Sequence, residues 1–304
     1  MIRWLAGILA ILFLLLIAAV YIFIPAKLTI SRTIVLSCNA DGAGRYLSGG
    51  HRWDNWLAGT SFRFGGYTSH IAEVRIGAGD PGIRSWVSVA PAGSLDTTNL
   101  QWGFVLPAGP NPIARLKQYR VARSIADTMR LILEKIKVSL EKENVYGFAI
   151  REVTGQDSFL VVKRSYFSHY PSTGDVYPIL DTLKKYSSGR GVVKSGYPML
   201  NVTLTGKDQY QTMVALPVDR QMEDNERWGI SVRKIVRGQF LMTEVKGGMG
   251  RVNEALEQLQ NFVADHQMTV MAIPFQSLIT DRTREPDTSR WITRLYYPVF
   301  SAGH

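Results

Sequence analysis

The chain has 304 residues, 46% of them hydrophobic, and a formal net charge of +10. This length and composition fit two folded domains with separate cores plus one further segment. The single cysteine, Cys38, excludes an intrachain disulfide bond. The excess positive charge suits an anionic membrane surface or an acidic partner.

Residues 1–26 are predicted to form a transmembrane anchor. The run from Trp4 to Ile24 contains no charged residue, and at ~1.5 Å per helical residue it reaches roughly 30 Å, enough to cross a bilayer core. A cleaved signal peptide has a shorter apolar region, and a lipoprotein signal would need its cysteine nearer than Cys38. A fully buried soluble helix is the remaining alternative, and the length favours the anchor.

The positive charges around this segment do not decide its orientation, because Arg3 lies on one side and Lys27 and Arg32 lie on the other. The short tail before the anchor favours an inside amino terminus. We therefore expect a single-pass protein of the bacterial inner membrane with its soluble part in the periplasm.

Residues 27–143 are predicted to form an α+β domain. Alternating apolar residues and turn residues indicate a strand, a short helix, a meander of strands and a long final helix. The predicted elements are the strand Leu28–Ser37, the helix Asn39–Leu47, the strands Ser61–Gly66, His70–Gly77, Ser85–Ala90 and Leu100–Pro107, and a helix that begins at Pro112.

This region resembles the START-like, polyketide-cyclase-like superfamily. The resemblance rests on Ile24-Pro25-Ala26-Lys27, on Ser31-Arg32-Thr33-Ile34 and on the Trp53-x-x-Trp56 pair after the first helix. It implies a helix-grip fold with an apolar cavity for lipid-like or polycyclic ligands. The segment is shorter than is usual in that superfamily, which predicts a reduced or absent cavity. We favour core packing over ligand contact for Trp53 and Trp56, because aromatic side chains mainly bury apolar area.

The predicted final helix is rich in Lys and Arg between Arg115 and Lys142. A solvated outer face is the favoured interpretation, and contact with anionic lipid head groups is the second. No helix-turn-helix, zinc finger or RNA-binding motif accompanies the charge, so nucleic acid is not expected as a partner.

Residues 145–304 contain an internal repeat. Four landmarks recur in the same order at offsets of 81, 76, 76 and 81 residues, which indicates two copies of a strand–helix–two-strand module around a pseudo-twofold axis. The alternative is a chance likeness between two unrelated segments. The matched residues are Phe159 with Phe240, Leu183 with Leu259, Pro198 with Pro274, and Pro217 with Pro298.

The second copy is predicted in most detail. The strand Phe240–Val245 is followed by a glycine-rich break, Gly247–Gly250, and then by a helix with one apolar face. Met268–Phe275 and Trp291–Val299 are predicted to be the closing strands. The apolar helix face consists of Val252, Leu256, Leu259, Phe262 and Val263.

The paired modules, their Pro-Val endings and the glycine-rich break resemble the gyrase-inhibitor-like effector-binding domain, often fused to bacterial transcription activators. The resemblance implies small-molecule binding in the cleft between the modules. Members often carry a Glu four residues before the last Pro, where it meets cationic ligands or acts in catalysis. Arg294 holds that position here, which favours an anionic or neutral ligand and argues against hydrolysis.

The motifs of the common catalytic and cofactor sites are absent from the sequence. The five histidines form no zinc motif, and neither a phosphate-binding loop nor a Gly-x-Ser-x-Gly elbow occurs. We therefore predict no metal, no cofactor and no catalytic residue, and favour a non-enzymatic protein. A triad built from distant residues stays open.

The candidate site is the cleft between the modules. Ile292, Arg294 and Tyr296 share one face of the last predicted strand, and by the resemblance this face meets the ligand. A pocket lined by aromatic rings and one charged group suits a flat or amphiphilic anion. The alternative places Tyr296 and Phe275 in the core and Arg294 on the surface. The predicted ligand-binding residues are Tyr166, Met213, Ala215, Phe275, Ile292, Arg294 and Tyr296.

The sequence therefore predicts a membrane-anchored protein that binds a small molecule without changing it. A hydrolase or cyclase acting in the same cleft is one alternative. An envelope scaffold whose pockets have closed is the other.

Overall fold

The computed structural model describes residues 2–77, 82–206, 208–235 and 237–300, without the side chains of residues 2, 3, 5, 6, 10, 142 and 143. The chain divides into two compact units, Met1–Val145 (unit 1) and Tyr146–His304 (unit 2). Both units are mixed α/β structures built on antiparallel sheets.

Unit 1 combines four helices with a five-stranded sheet of order β1-β5-β4-β3-β2, in which every neighbouring pair is antiparallel. This order is the predicted strand, short helical segment, meander and long helix, with a second short helix added. The elements are α1 (Ile2–Phe23), β1 (Lys27–Leu36), α2 (Ala40–Ser48), α3 (Gly50–Leu57), β2 (Phe62–Thr68), β3 (Ile71–Ile76), β4 (Ile83–Pro91), β5 (Thr98–Pro107) and α4 (Pro112–Glu143).

The core of unit 1 lies where α4 packs against the sheet. Trp53 is fully buried, with its ring stacked on Phe64 at a centroid distance of 5.1 Å and edge-on to Trp56 at 5.4 Å. Core packing of the tryptophan pair is therefore confirmed. The helix contributes a column of fully buried side chains to this core, Met129, Ile132, Leu133, Ile136 and Leu140.

Two hydrogen bonds join the carboxyl end of α1 to the region where α4 begins. The Tyr21 hydroxyl donates to the carbonyl oxygen of Pro110 at 2.9 Å, and Nη1 of Arg115 donates to that of Ile24 at 2.7 Å. Among helices composed of described residues, none is both long and apolar enough to cross a membrane.

In its described residues, unit 2 contains two α-helices, two short 3-10 helices and nine strands, which form one sheet of order β10-β7-β9-β8-β13-β14-β11-β6 with β12 paired to β14. Its elements are β6 (Arg151–Gly155), β7 (Ser158–Phe167), α5 (Thr173–Ser188), β8 (Met199–Thr205), β9 (Gln209–Val218), β10 (Ile230–Ile235), β11 (Gly238–Lys246), α6 (Met249–Asp265), β12 (Thr269–Val270), β13 (Phe275–Leu278) and β14 (Ile292–Phe300).

The strand order of unit 2 has the symmetry of two modules. Counted outwards from the central β8–β13 pair, the first module contributes β8, β9 and β7, and the second contributes the equivalent strands β13, β14 and β11. Leu200 pairs with Gln276, and these residues are 76 apart, the offset that relates Pro198 to Pro274. The pseudo-twofold axis therefore passes between Leu200 and Gln276, and the two modules share one continuous sheet.

The register corrects one landmark of the predicted repeat. Leu160 pairs with Pro217, and Phe240 pairs with Pro298, so Leu160 is the equivalent of Phe240. Matching Phe159 to Phe240 was wrong by one residue, and a shift of one residue moves a side chain to the other face of a strand. Phe159 packs on the core beneath α5, whereas Phe240 lies on the opposite face.

Each repeat also begins one strand earlier than the sequence analysis placed it. β6 leads into the first module yet pairs with β11 of the second, and β10 leads into the second module yet pairs with β7 of the first. The modules therefore exchange their first strands.

The predicted strand Met268–Phe275 is divided in the structure. β12 covers only Thr269–Val270, and β13 starts at Phe275. Pro274 has no N–H group to donate to a neighbouring strand, so it interrupts the ladder between them.

Candidate functional site

The two faces of the unit 2 sheet differ in what covers them. Val161, Val214 and Leu216 pack on one face beneath α5, and Leu241 and Leu295 pack on the same face beneath α6. Because side chains alternate along a strand, the residues between them point to the opposite face. In one cross-strand row this open face carries Val162, Ala215, Met199, Ser277, Arg294 and Glu244.

A cavity of about 980 Å³ lies on this open face. Its floor is an apolar cluster separate from the cores under the two helices, to which Leu160, Val162 and Ala215 contribute buried side chains. Met199, Met213 and Ile235 pack around them. The volume is at the upper end of what small-molecule pockets occupy, and the methionines can adapt to ligands of different shape.

Positive side chains stand around this floor. Arg164, Arg233, Lys234 and Arg237 line the cavity, and the described lining contains no Asp or Glu. Lys234 is paired with Asp157 at 2.9 Å. Arg164 and Arg233 are exposed, and within the described part of the chain neither is paired with a carboxylate. The cavity therefore offers an apolar floor with a basic rim.

A smaller cavity of about 370 Å³ adjoins the larger one and shares Leu160 and Phe275 with it. Its lining contains four aromatic residues, and three of them, Phe240, Phe275 and Tyr296, have rings that contact one another. Phe275 stacks on Tyr296 with centroids 5.0 Å apart, and Phe240 meets both rings edge-on at 6.0 and 6.2 Å. Gly155 on β6 lies directly against the ring of Phe240. The exchanged strand therefore helps to position the aromatic wall.

The structure brings four of the predicted ligand-binding residues to these cavities. Met213, Ala215 and Phe275 line the larger one, and Phe275 and Tyr296 line the smaller one. Tyr166 lies outside both linings, 51% exposed, with its hydroxyl donating to Oε1 of Gln211 at 3.3 Å.

Ile292 and Arg294 lie outside both linings as well. Nε of Arg294 donates to Oε2 of Glu244, its cross-strand neighbour, at 2.8 Å. This hydrogen bond raises the pKa of Arg294. Arg294 therefore has a carboxylate partner already, and its contact with a ligand stays a prediction.

The sequence analysis missed the basic rim. Arg164 follows Leu160 and Val162 on the same face of β7, so strand alternation was a signal that could have found it. Arg233 and Ile235 reach the site only because β10 pairs with the module to which it does not belong in sequence. No local pattern reports that pairing.

The described residues contain no group of three or more His, Cys, Asp or Glu side chains that could hold a metal ion. The described lining of the larger cavity includes neither a Ser, Thr or Cys nucleophile nor a His or carboxylate base. What this cavity offers is apolar contact, aromatic contact and positive charge.

No protein-family model matches the chain, and no curated protein matches it. Several solved structures match parts of the chain. The EcmrR C-terminal domain is 15% identical with a TM-score of 0.44, and the match covers 51% of this chain and 99% of that domain. SAV2435 bound to tetraphenylphosphonium is 13% identical, with a TM-score of 0.34 and coverages of 50% and 94%. A START superfamily protein from Mycobacterium smegmatis is 14% identical, with a TM-score of 0.26 and coverages of 37% and 98%.

Proposed function

We propose that unit 2 binds a small amphiphilic anion in the cleft on the open face of its sheet. One observation carries the proposal. The described lining of the 980 Å³ cavity joins an apolar floor to several Arg and Lys side chains and contains no carboxylate. An apolar ligand body gains free energy by leaving water, and an acidic group gains it by facing the guanidinium groups.

Arg164 and Arg233 lie on the same face of the sheet, on the neighbouring strands β7 and β10. Arg233 is the cross-strand neighbour of Leu160, and Arg164 is two residues from Val162 on the same strand face. An anionic group between them would contact both guanidinium groups while its apolar part lies over Leu160, Val162 and Ala215. A flat ring on the ligand would extend towards the wall formed by Phe240, Phe275 and Tyr296.

The proposal is binding without chemical change. It is supported by the composition of the larger cavity, whose described lining holds no Ser, Thr or Cys nucleophile and no His or carboxylate base, and whose one lysine, Lys234, is paired with Asp157. Proton transfer and nucleophilic catalysis both need such a group within hydrogen-bond reach of the substrate.

Charge selectivity tests the proposal. The full chain is titrated with an anilinonaphthalene sulfonate, followed by fluorescence, and separately with tetraphenylphosphonium, a cation of comparable apolar size. We expect saturable binding of the sulfonate and much weaker binding of the cation. In the double variant Arg164→Gln/Arg233→Gln the sulfonate should bind about 5–30-fold more weakly, because two exposed charge pairs contribute roughly 0.5–1 kcal/mol each.

Arg63→Gln is the matched control, because Arg63 is an exposed strand arginine in unit 1. It should bind the sulfonate like the wild type. Tighter binding of the cation than of the sulfonate, or equal sulfonate affinity in the double variant and the control, would refute the assignment of the cleft to an anion.

We also propose that the amino-terminal segment attaches the protein to a bacterial inner membrane, with the soluble part in the periplasm. The charge-free sequence from Trp4 to Ile24 supports this, as do the exposed apolar side chains from Leu12 to Leu16. Extraction of membranes with alkaline carbonate tests attachment, and a reporter fused to the carboxyl terminus tests the side. Release of the chain by carbonate would exclude an integral anchor.

A further inference from the structure

Arg282 is a buried arginine on the opposite side of the unit 2 sheet from the cleft. Arg282 is only 9% exposed to solvent. Nη2 donates to Oγ1 of Thr293 at 2.9 Å, and Nη1 contacts Sδ of Met249 at 3.6 Å. The guanidinium carbon lies 4.6 Å from the ring centroid of Trp291. Thr293 points to the helix-covered face because it alternates with Arg294, so this arginine does not belong to the cleft.

The guanidinium group of Arg282 is short of acceptors. It carries five N–H donors, and the hydroxyl of Thr293 and the sulfur of Met249 are its side-chain acceptors among the described residues. Three N–H groups are left over. Within the described residues, the guanidinium group of Arg282 forms no ion pair with a carboxylate. Burial lowers the pKa of Arg282 from its usual value, but an arginine stays charged in proteins, so a buried cation lacks a counter-ion.

The first turn of α6 adds no negative charge. Met249 is the first residue of α6, whose N-cap Gly248 makes no side-chain capping bond and whose first turn holds no acidic residue. The positive end of the helix dipole therefore adds to the charge of the guanidinium. The carboxylate next in sequence, Asp281, is engaged with Thr283 and Arg284.

The hydroxyl and amide groups around Arg282 are neutral, and the carboxylate next in sequence, Asp281, also interacts with Tyr177. The Tyr177 hydroxyl accepts from the backbone N–H of Arg282 at 2.7 Å, and Tyr170 lies within electrostatic range of the guanidinium. Gln276, which hydrogen-bonds Tyr170, is buried and uncharged. Unfilled hydrogen-bonding capacity and uncompensated positive charge thus occur together on this face.

We propose that Arg282 anchors a second binding site in unit 2, for a carboxylate or phosphate oxyanion. The planar fork of N–H groups in arginine matches both oxyanions in a two-bond geometry. Trp291 covers one face of the guanidinium and fixes its plane. The bound oxyanion supplies the missing counter-charge, so occupancy stabilises the folded unit. This proposal is independent of ligand binding in the cleft.

Thermal unfolding of the full chain, followed by circular dichroism, tests the site. Sodium phosphate or sodium acetate replaces sodium chloride at constant ionic strength and pH. We expect the unfolding temperature of unit 2 to rise with the logarithm of the concentration of one or both oxyanions, by about 5–10 °C at a hundred-fold excess over Kd. A response to phosphate alone assigns the site to phosphate, and a response to acetate alone assigns it to carboxylates.

Variants separate this site from general salt effects. Arg282→Met should lose the response, and Arg282→Lys should bind the oxyanion several-fold more weakly because a lysine lacks the fork. Arg63→Met is the control, because Arg63 is an exposed strand arginine of unit 1 and takes no part in the contacts of Arg282. It should keep the full response, as should the cleft variant Arg164→Gln/Arg233→Gln.

Equilibrium dialysis of the wild type with labelled orthophosphate and labelled acetate gives a second measurement that needs no folded variant. Binding of one equivalent per chain that persists in the cleft variant supports the site. An unfolding temperature indifferent to both oxyanions, or an equal response in Arg282→Met and the wild type, would overturn the proposal.

Discussion

Replacing Gly155 by alanine is expected to push the aromatic wall into the cleft. An alanine Cβ at this position would overlap Cε2 of the Phe240 ring and would lie 3.0 Å from Cδ2 and 3.2 Å from Cζ. The ring has little freedom to move sideways, because Phe275 and Tyr296 pack against it. It should therefore tilt towards the open space of the cavity.

Two effects of opposite sign determine how much Gly155→Ala changes the free energy of unfolding. A strand glycine replaced by alanine reduces the entropy of the unfolded chain, which favours folding by about 0.5–1 kcal/mol. Forcing an extra methyl group against a packed ring costs about 1–3 kcal/mol. We expect the second effect to win, with a net loss of roughly 0.5–2 kcal/mol and a fall in unfolding temperature of about 2–6 °C.

Urea denaturation and sulfonate titration measure the two consequences in the same samples. Gly250→Ala is the matched control, because nothing lies within 4 Å of the added Cβ in α6, and it should stabilise by up to ~1 kcal/mol. In a Phe240→Leu background the cost of Gly155→Ala should largely disappear. If Gly155→Ala is as stabilising as the control and leaves the sulfonate affinity unchanged, the contact with Phe240 does not shape the cleft.

Three further predictions concern single side chains. Hydrogen bonds from the hydroxyl and backbone N–H of the N-cap serine of α5 lower the pKa of Asp175 to about 2, from 3.8. Its contribution to stability is therefore complete above pH 3.8 and lost as the pH falls through 2, so Asp175→Asn should lower the unfolding temperature at pH 7 and have little effect at pH 2. Burial raises the pKa of Cys38 to about 11, so a disulfide reagent at pH 8 should modify it far more slowly than a model thiol peptide. Arg294→Gln should reduce sulfonate affinity less than Arg164→Gln, because Arg294 is already paired with a carboxylate.

The repeat in unit 2 was visible in the sequence because apolar spacing and prolines survive in both copies. The register reproduces the offsets of 76 and 81 residues: Met199 pairs with Ala215 as Phe275 pairs with Tyr296. The match of Phe159 to Phe240 failed because two adjacent apolar residues, Phe159 and Leu160, compete for the same place in the pattern. Only the pairing with Pro217 decides between them.

The site was less accessible to sequence reasoning than the fold. Strand alternation grouped the residues that share a face, and the resemblance to the effector-binding domain assigned the face of Met213, Ala215 and Tyr296 to the ligand, but neither says where along the face a cavity lies. Arg294 was singled out because it holds the position of the Glu that members of that family often carry, and nothing local shows that Glu244 stands beside it on the neighbouring strand. The position of the cavity and the contact between Arg294 and Glu244 both depend on strand pairing between segments that are distant in sequence.

The exchange of first strands has a consequence for synthesis of the protein. When the ribosome has released residues up to Val218, every strand of the first module exists, but the outer edge of β7 stays bare because its partner β10 has not been made. A bare edge is a template for unwanted strand pairing. The nascent chain therefore carries this exposed edge until Ile235 emerges, and we expect aggregation to be most probable in that interval. Expression at lower temperature or with chaperones should reduce it.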